Sequence, residues 1–274
     1  MTLPDFELRR PETLPEALGL LSEYGAEAAF YMGGTELLLA MKYGLAYASV
    51  LVDGKRLSEL RAVGADNGSV ILGAGLTHLE LEANPIVRDV LPELAGVERT
   101  IANVRVRATG TLGGNLCFAE PHSDPATLLI ALGAEVDLAS GSGVRSVPIE
   151  DFILGPLQTA LAPGEIMTTI RVPRPAPGTR LAFDRIRLKE RPVANVAVAL
   201  AEGESRVVIG AVGPRPIRIT AAEDLLSRRP EAIEEACGLV ESSVEPYDDS
   251  EGSIEYKRHL ASVLTARALR MAAA

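Results

Sequence analysis

The chain has 274 residues, 47% of them hydrophobic and 23% charged, and a formal net charge of −10. That length holds one large or two medium domains, and the acidic balance weighs against a nucleic-acid or anionic-membrane surface, which needs a basic footprint. Trp is absent and aromatics are 4%, so no platform for stacking single-stranded bases is expected, and no apolar run approaches the ~20 residues of a membrane span.

Residues 3–9 read as a short strand. Thr13, Pro15 and Glu16 give a capping-box helix start with Ala17, Leu18 and Leu21 on one face, and Gly25 stands where a glycine stops a helix. A strand over 28–32 leads into Gly33-Gly34-Thr35, and residues 36–43 have helix-forming composition. The glycine pair is therefore predicted at a strand-to-helix turn, where helix amides add to a positive field. Strands are expected at 50–53 and 69–73 and a helix over 92–100. An Asn- and Arg-containing connection then leads to a second glycine turn at 110–115. A strongly apolar helix starts at Asp124-Pro125, and 135–138 pairs with 145–148 across Ser-Gly-Ser-Gly. Three prolines and a glycine within 173–178 mark a boundary. Beyond it, strands are expected at 183–188, 193–201, 206–212 and 217–220, with a hairpin turn at 202–205. Helices at 230–244 and 254–271 close the chain, with Tyr256, Leu260, Val263, Leu264 and Met271 sharing a face of the last. The C-terminal part thus reads as a small antiparallel sheet backed by helices.

Gly33-Gly34 and Gly113-Gly114 are the informative motifs. Glycine allows positive φ and lets the main chain press against a bulky ligand, and consecutive amides in such a turn form an anion-binding concavity. One such pair is most often only a turn. Two, each beside a threonine and a polar side chain, could grip one diphosphate from both sides. Thr35 and Thr111 can donate to phosphate oxygens, the Asn115 amide suits sugar hydroxyls, and Asp124 can accept from them or cap its helix. Gly73-Ala-Gly75-Leu-Thr-His78 lacks the third glycine of the dinucleotide fingerprint and reads as a strand end and turn; no phosphate-binding GxxxxGK[ST] loop is present. His78, His122 and His259 show no metal-ligand spacing, and no metal site or catalytic acid or base is assigned. His122 lies in the second glycine stretch, as a surface loop residue able to approach a ligand. Cys117 and Cys237, far apart and without CxxC spacing, point to a reducing, cytoplasmic setting, with Cys117 packing as a small buried hydrophobe. The N-terminus carries no signal-peptide pattern.

Side by side, these stretches resemble the FAD-binding medium subunits of molybdenum hydroxylases, such as the carbon monoxide dehydrogenase flavoprotein and the flavin domain of xanthine dehydrogenase. The AGGTDL-like loop of that family is matched by Met32-Gly-Gly-Thr-Glu-Leu37, with Met32 for Ala and Glu36 for Asp. Its GTIGGN block is matched by Gly110-Thr-Leu-Gly-Gly-Asn115, followed by Pro121-His-Ser-Asp124. The likeness continues through Leu161-Ala-Pro-Gly-Glu-Ile166, Arg187-Leu-Lys-Glu-Arg191 and the Asp248–Tyr256 stretch.

The resemblance implies an α+β fold. A two-lobed FAD-binding domain of the p-cresol methylhydroxylase type would occupy residues 1–175, with lobes about 1–55 and 56–175, and a C-terminal flavoprotein domain residues 176–274. By motif matching, Met32, Gly33, Gly34, Thr35, Glu36, Thr111, Leu112, Gly113, Gly114, Asn115, Asp124, Ile166 and Lys189 would hold FAD. Arg185 stands where many relatives have Lys. The implied role is an electron-transfer subunit paired with a large molybdopterin-binding subunit and a small 2Fe–2S subunit, as a dimer of heterotrimers, passing electrons from iron–sulfur to an external acceptor. Two cysteines cannot supply a four-thiolate cluster in this chain. The alternatives are a self-sufficient FAD reductase of the same superfamily using NAD(P)H, or a non-catalytic nucleotide-binding subunit.

Overall fold

The computed structural model describes residues 2–65 and 68–273. The first lobe runs β1 (Glu7–Arg9), α1 (Leu14–Tyr24), β2 (Ala28–Tyr31), α2 (Leu37–Lys42) and β3 (Val50–Asp53). Its three strands form a parallel sheet in the order β1-β3-β2. Thr13 caps α1 by accepting from the Glu16 amide, and Gly25 ends the helix with φ 53°. Ala17 and Leu21 bury the inner face of α1 against Val50 and Val52.

The second lobe holds β4 (Val63–Ala65), β5 (Ser69–Gly73) and six helices: α3 (His78–Ala83), α4 (Pro85–Val90), α5 (Pro92–Glu98), α6 (Val104–Thr109), α7 (Leu112–Phe118) and α8 (Asp124–Ala131). Then follow β6 (Glu135–Ser140), β7 (Gly143–Pro148), α9 (Ile149–Phe152), the small hairpin β8 (Ile153–Gly155) and β9 (Gln158–Thr159), and β10 (Ile166–Pro173). A five-stranded antiparallel sheet orders them β4-β5-β10-β6-β7. Two sequence expectations change here. The Asn- and Arg-containing connection before Gly110 is a helix, α6, because the Asn103 side chain caps it by accepting from the Arg105 and Val106 amides. The second glycine turn is itself the start of a helix, α7, with Thr111 as its cap.

The C-terminal unit comprises β11 (Arg180–Arg187), β12 (Pro192–Ala201), β13 (Glu204–Gly210), β14 (Ile217–Arg218), α10 (Thr220–Arg228), α11 (Ile233–Ser243) and α12 (Ile254–Ala273). Its strands form one antiparallel sheet in sequential order. Residues 217–220, expected as a full strand, give only two strand residues before α10 begins. β12 is buried on both faces, which is why it reads as a nearly unbroken apolar run. Val196 and Val198 pack under α10–α12, whereas Ala197 joins the second-lobe core. No helix among the described residues is long and apolar enough to cross a membrane.

The face of α12 is turned from the expected one. Leu260 and Leu264 are buried, but Tyr256 and Met271 are 40% and 55% exposed, and Lys257 lies fully buried between them in register. The Lys257 ammonium donates to the Asp249 carboxylate (2.6 Å) and the Tyr247 carbonyl (3.1 Å), so this charge docks the preceding loop on the helix. Burial acts to raise the Asp249 carboxyl, but Lys257 and the Glu251 and Gly252 amides outweigh it and hold it below the usual aspartate range. A carboxyl lowered by folding stabilises above its unfolded value and loses that contribution as pH falls through the folded one. Asp249→Asn should therefore cost about 2 kcal/mol at neutral pH by urea unfolding. The deficit should shrink on acidification below about pH 4, and a pH-independent deficit would show that charge pairing is not its cause.

Candidate functional site

A cavity of about 730 Å³ opens where the three parts of the chain meet. The first lobe contributes the turn after β2, the second lobe the segments around α6, α7 and β10, and the C-terminal unit the residues after β11. The two glycine turns are adjacent on its wall. A Cβ on Gly33 would lie 2.2 Å from the Thr109 carbonyl oxygen and 2.7 Å from Gly110 Cα; one on Gly113 would lie 2.7 Å from the Ala74 carbonyl oxygen. These two glycines are thus demanded by the protein's own backbone pressing on itself. Gly34 is needed for its φ of 69°, and Gly114 meets only the Thr111 hydroxyl of its own helix cap.

The turns also differ in what they offer an anion. In the second, the Leu112 amide donates to the Leu76 carbonyl, Gly113 to Ala74, Gly114 to the Thr111 hydroxyl and Asn115 to the Thr111 carbonyl. In the first, the amides of residues 34–37 donate to no acceptor among the described residues. Only the first is an open main-chain cradle of the kind that binds phosphate, and the second supplies side chains. Ser123 donates to Asn115 Oδ1 (2.6 Å), which turns that amide and leaves its NH₂ group as the donor.

Eleven of the thirteen residues expected at a cofactor line this cavity: Met32, Gly33, Gly34, Thr35 and Glu36 from the first turn; Thr111, Gly113, Gly114 and Asn115 from α7 and its cap; and Asp124 with Ile166. Two do not. Leu112 is fully buried in the second-lobe core. Lys189 extends away with its side chain 68% exposed and pairs with Glu251 (3.3 Å), while its neighbours Glu190 and Arg191 reach the wall. Asp124 is not the cap of α8, because Ser123 accepts from the Ala126 amide in that role. The Asp124 carboxylate instead accepts from Arg185 on one oxygen and from Asn195 Nδ2 (2.8 Å) on the other, and Asn195 in turn accepts from Thr127 (2.8 Å). Arg185 is thereby committed to Asp124 and to the Thr100 carbonyl (3.3 Å).

Three side chains outside the thirteen expected cofactor residues also converge at this cavity. Arg191 meets Glu120 (2.8 Å) and Glu36 (3.3 Å), tying the C-terminal unit to both lobes, and His122 Nδ1 lies 2.6 Å from Glu120. Burial raises the Glu36 carboxyl above its usual range, with Arg191 opposing. Burial also acts to raise Glu120, but His122 and Arg191 outweigh it and bring that carboxyl down. Cys117 is also on the wall, and burial pushes its thiol up to about 12, so it stays protonated. Ala102, also on the wall, is held at φ 36°, a left-handed conformation uncommon for alanine. No sequence pattern announces it.

A cavity between two lobes, with a free main-chain cradle and sugar-suited side chains, defines a nucleotide-cofactor subunit, and the relatives say which. Residues 4–175 match the family described as the FAD binding domain in molybdopterin dehydrogenase, and residues 192–272 match the CO dehydrogenase flavoprotein C-terminal domain. The carbon monoxide dehydrogenase medium chain of Hydrogenophaga pseudoflava is 33% identical, over 99% of this chain and 98% of that one. Caffeine dehydrogenase subunit beta of Pseudomonas sp. (strain CBB1) is 29% identical, over 98% and 95%. The crystal structure of quinoline 2-oxidoreductase from Pseudomonas putida 86 superposes with a TM-score of 0.93 at 31% identity, covering all of this chain and 98% of that one. The chain belongs to the FAD-binding medium subunits of the molybdenum hydroxylases. It is an oxidoreductase subunit, and its cofactor is FAD.

The backbone contact at Gly33 has a direct consequence. Gly33→Ala should cost about 2 kcal/mol by forcing the two turns apart and should weaken FAD retention. Gly19→Ala, on a part of α1 with no atom within 4 Å of the new methyl group, should instead gain up to about 1 kcal/mol. Equal thermal midpoints for the two variants would refute the contact.

Proposed function

We propose that this chain is the electron outlet of a molybdenum hydroxylase complex. Electrons arrive from the 2Fe–2S clusters of a small partner subunit, after substrate oxidation in a large molybdopterin-binding subunit, and leave to an external acceptor. In this reading the assembly is a dimer of heterotrimers in the cytoplasm. Residues 1–175 form the FAD-binding domain, with lobes about 1–55 and 56–175, and residues 176–274 form the C-terminal flavoprotein domain. The observation that carries it is the placement of both glycine turns on one wall of a cavity between two lobes.

Bound FAD would supply the capacity to exchange electrons singly and in pairs. This chain's residues then have distinct tasks. The free amides at residues 34–37 hold the diphosphate, with the Thr35 hydroxyl donating beside them. Asn115 donates to a sugar hydroxyl through the amide that Ser123 orients. Arg191 holds Glu36 and Glu120 together at the cavity wall. Ile166, 1% exposed, gives the cavity an apolar floor. Asp124 is part of the wall and acts by holding Arg185 and Asn195 in place, since its carboxylate is taken up by them. The protonated Cys117 thiol adds only packing.

Gly114→Val is expected to abolish flavin retention, read from the visible flavin absorption of the purified protein, while the C-terminal unit stays folded by circular dichroism. Normal FAD content in that variant would sink the placement of the cofactor. The assembly is tested separately, by the two further chains expected to co-purify with it. A chain that purifies alone with full NAD(P)H-dependent activity would favour the self-sufficient reductase.

A further inference from the structure

The GAGLTH stretch, which reads in sequence as a strand end and turn, places a buried ion-pairing dyad against the cavity. Thr77 caps α3 through a reciprocal box with Glu80, which sets His78 at the first position of the helix with its side chain turned inward. His78 is 3% exposed and forms part of the cavity wall. Its Nδ1 lies 2.5 Å from Glu98 Oε2, on α5, and Glu98 has no exposed surface. Glu98 Oε1 is buried without a hydrogen-bond partner, and His78 is the only group paired with this carboxylate among the described residues. On the far side of the ring, Nε2 has no protein partner among those residues.

Glu98 holds Nδ1 and so acts as a positioning residue that sets the ring. Nε2 is left facing away from Glu98, and an imidazole placed between a carboxylate and a second anion can donate from both ring nitrogens.

The place it serves is set by Gly110. A Cβ built on that glycine would lie 3.2 Å from His78 Cδ2, the carbon bonded to Nε2, and 3.4 Å from the Thr35 hydroxyl. The ring edge and the hydroxyl of the first glycine turn therefore converge on one spot. The geometry points to His78 as a further cofactor-binding residue, donating its Nε2–H to a phosphoryl oxygen of the FAD diphosphate beside Thr35. This rests on the proposal that the turn at residues 33–36 holds that diphosphate.

The test strips the flavin from the purified protein, with whatever partner subunits accompany it, and re-titrates FAD by fluorescence quenching while recording the ³¹P spectrum of the bound diphosphate. His78→Phe removes the donor and keeps a ring, and should bind FAD about ten- to a hundred-fold more weakly with displaced phosphorus resonances. His78→Gln, whose amide reaches a similar point, should recover most of the affinity. A His78→Gln variant as weak as His78→Phe would mean the ring only packs and would overturn the proposal. Unchanged affinity and unchanged ³¹P shifts in His78→Phe would overturn it too, leaving the FAD site intact. Wild-type protein that takes up no FAD would remove the cofactor placement itself, and the role of His78 with it.

Discussion

The cavity exists because two stretches of main chain touch. Gly33, at the end of a parallel strand, lies so close to the Thr109 carbonyl that a single methyl group cannot be inserted between them. That contact brings the open turn of the first lobe beside the capped helix start of the second, and every other feature of the site is measured from it. Backbone-to-backbone contact of this kind leaves no rotamer to adjust, so the spacing of the two turns is tightly constrained. A preorganised pocket of this sort spends little of its binding free energy on ordering loops.

The C-terminal unit is joined to that site by polar groups as well as by apolar packing. Asn195, in the central strand of its sheet, is fully buried and bonded to Asp124 and Thr127 at the start of α8, and Arg185 from the neighbouring strand completes the Asp124 carboxylate. Gly210 faces the same spot, where a Cβ would strike both the Thr127 hydroxyl and Asn195 Oδ1. A buried polar network satisfied on all sides specifies one arrangement, because any slip leaves a donor or acceptor unpaired. The sheet therefore registers on the helix that follows the second glycine turn, and Arg191 adds an exposed ion-pair link at the cavity wall.

Much of this was legible in the residues themselves. The cap at Thr13, the stop at Gly25, the strand leading into Gly33 and the proline-rich stretch after residue 173 all follow from local rules that tertiary contacts do not override here. The two glycine turns, with Thr35, Thr111 and Asn115 around them, marked the cavity wall. What escaped was of another kind. Lys257 lies outside the face that the apolar spacing marks, yet it is buried because Asp249 and a carbonyl satisfy its charge from a separate loop. Lys189 matched a motif but points outward. His78 and Glu98 are twenty residues apart on different helices, and only the packing of α3 on α5 makes them a pair.

Local sequence by itself determined many of the elements, the positions of the two glycine motifs and the family to which they belong, because capping, glycine conformation and hydrophobic period act over a few residues. Only the tertiary structure decided which amides remain free, which glycines answer to protein rather than ligand, and which charged groups meet. Hydrogen-bond donors are used up, and buried charges are paired, by partners far away along the chain, and no short-range pattern carries that information.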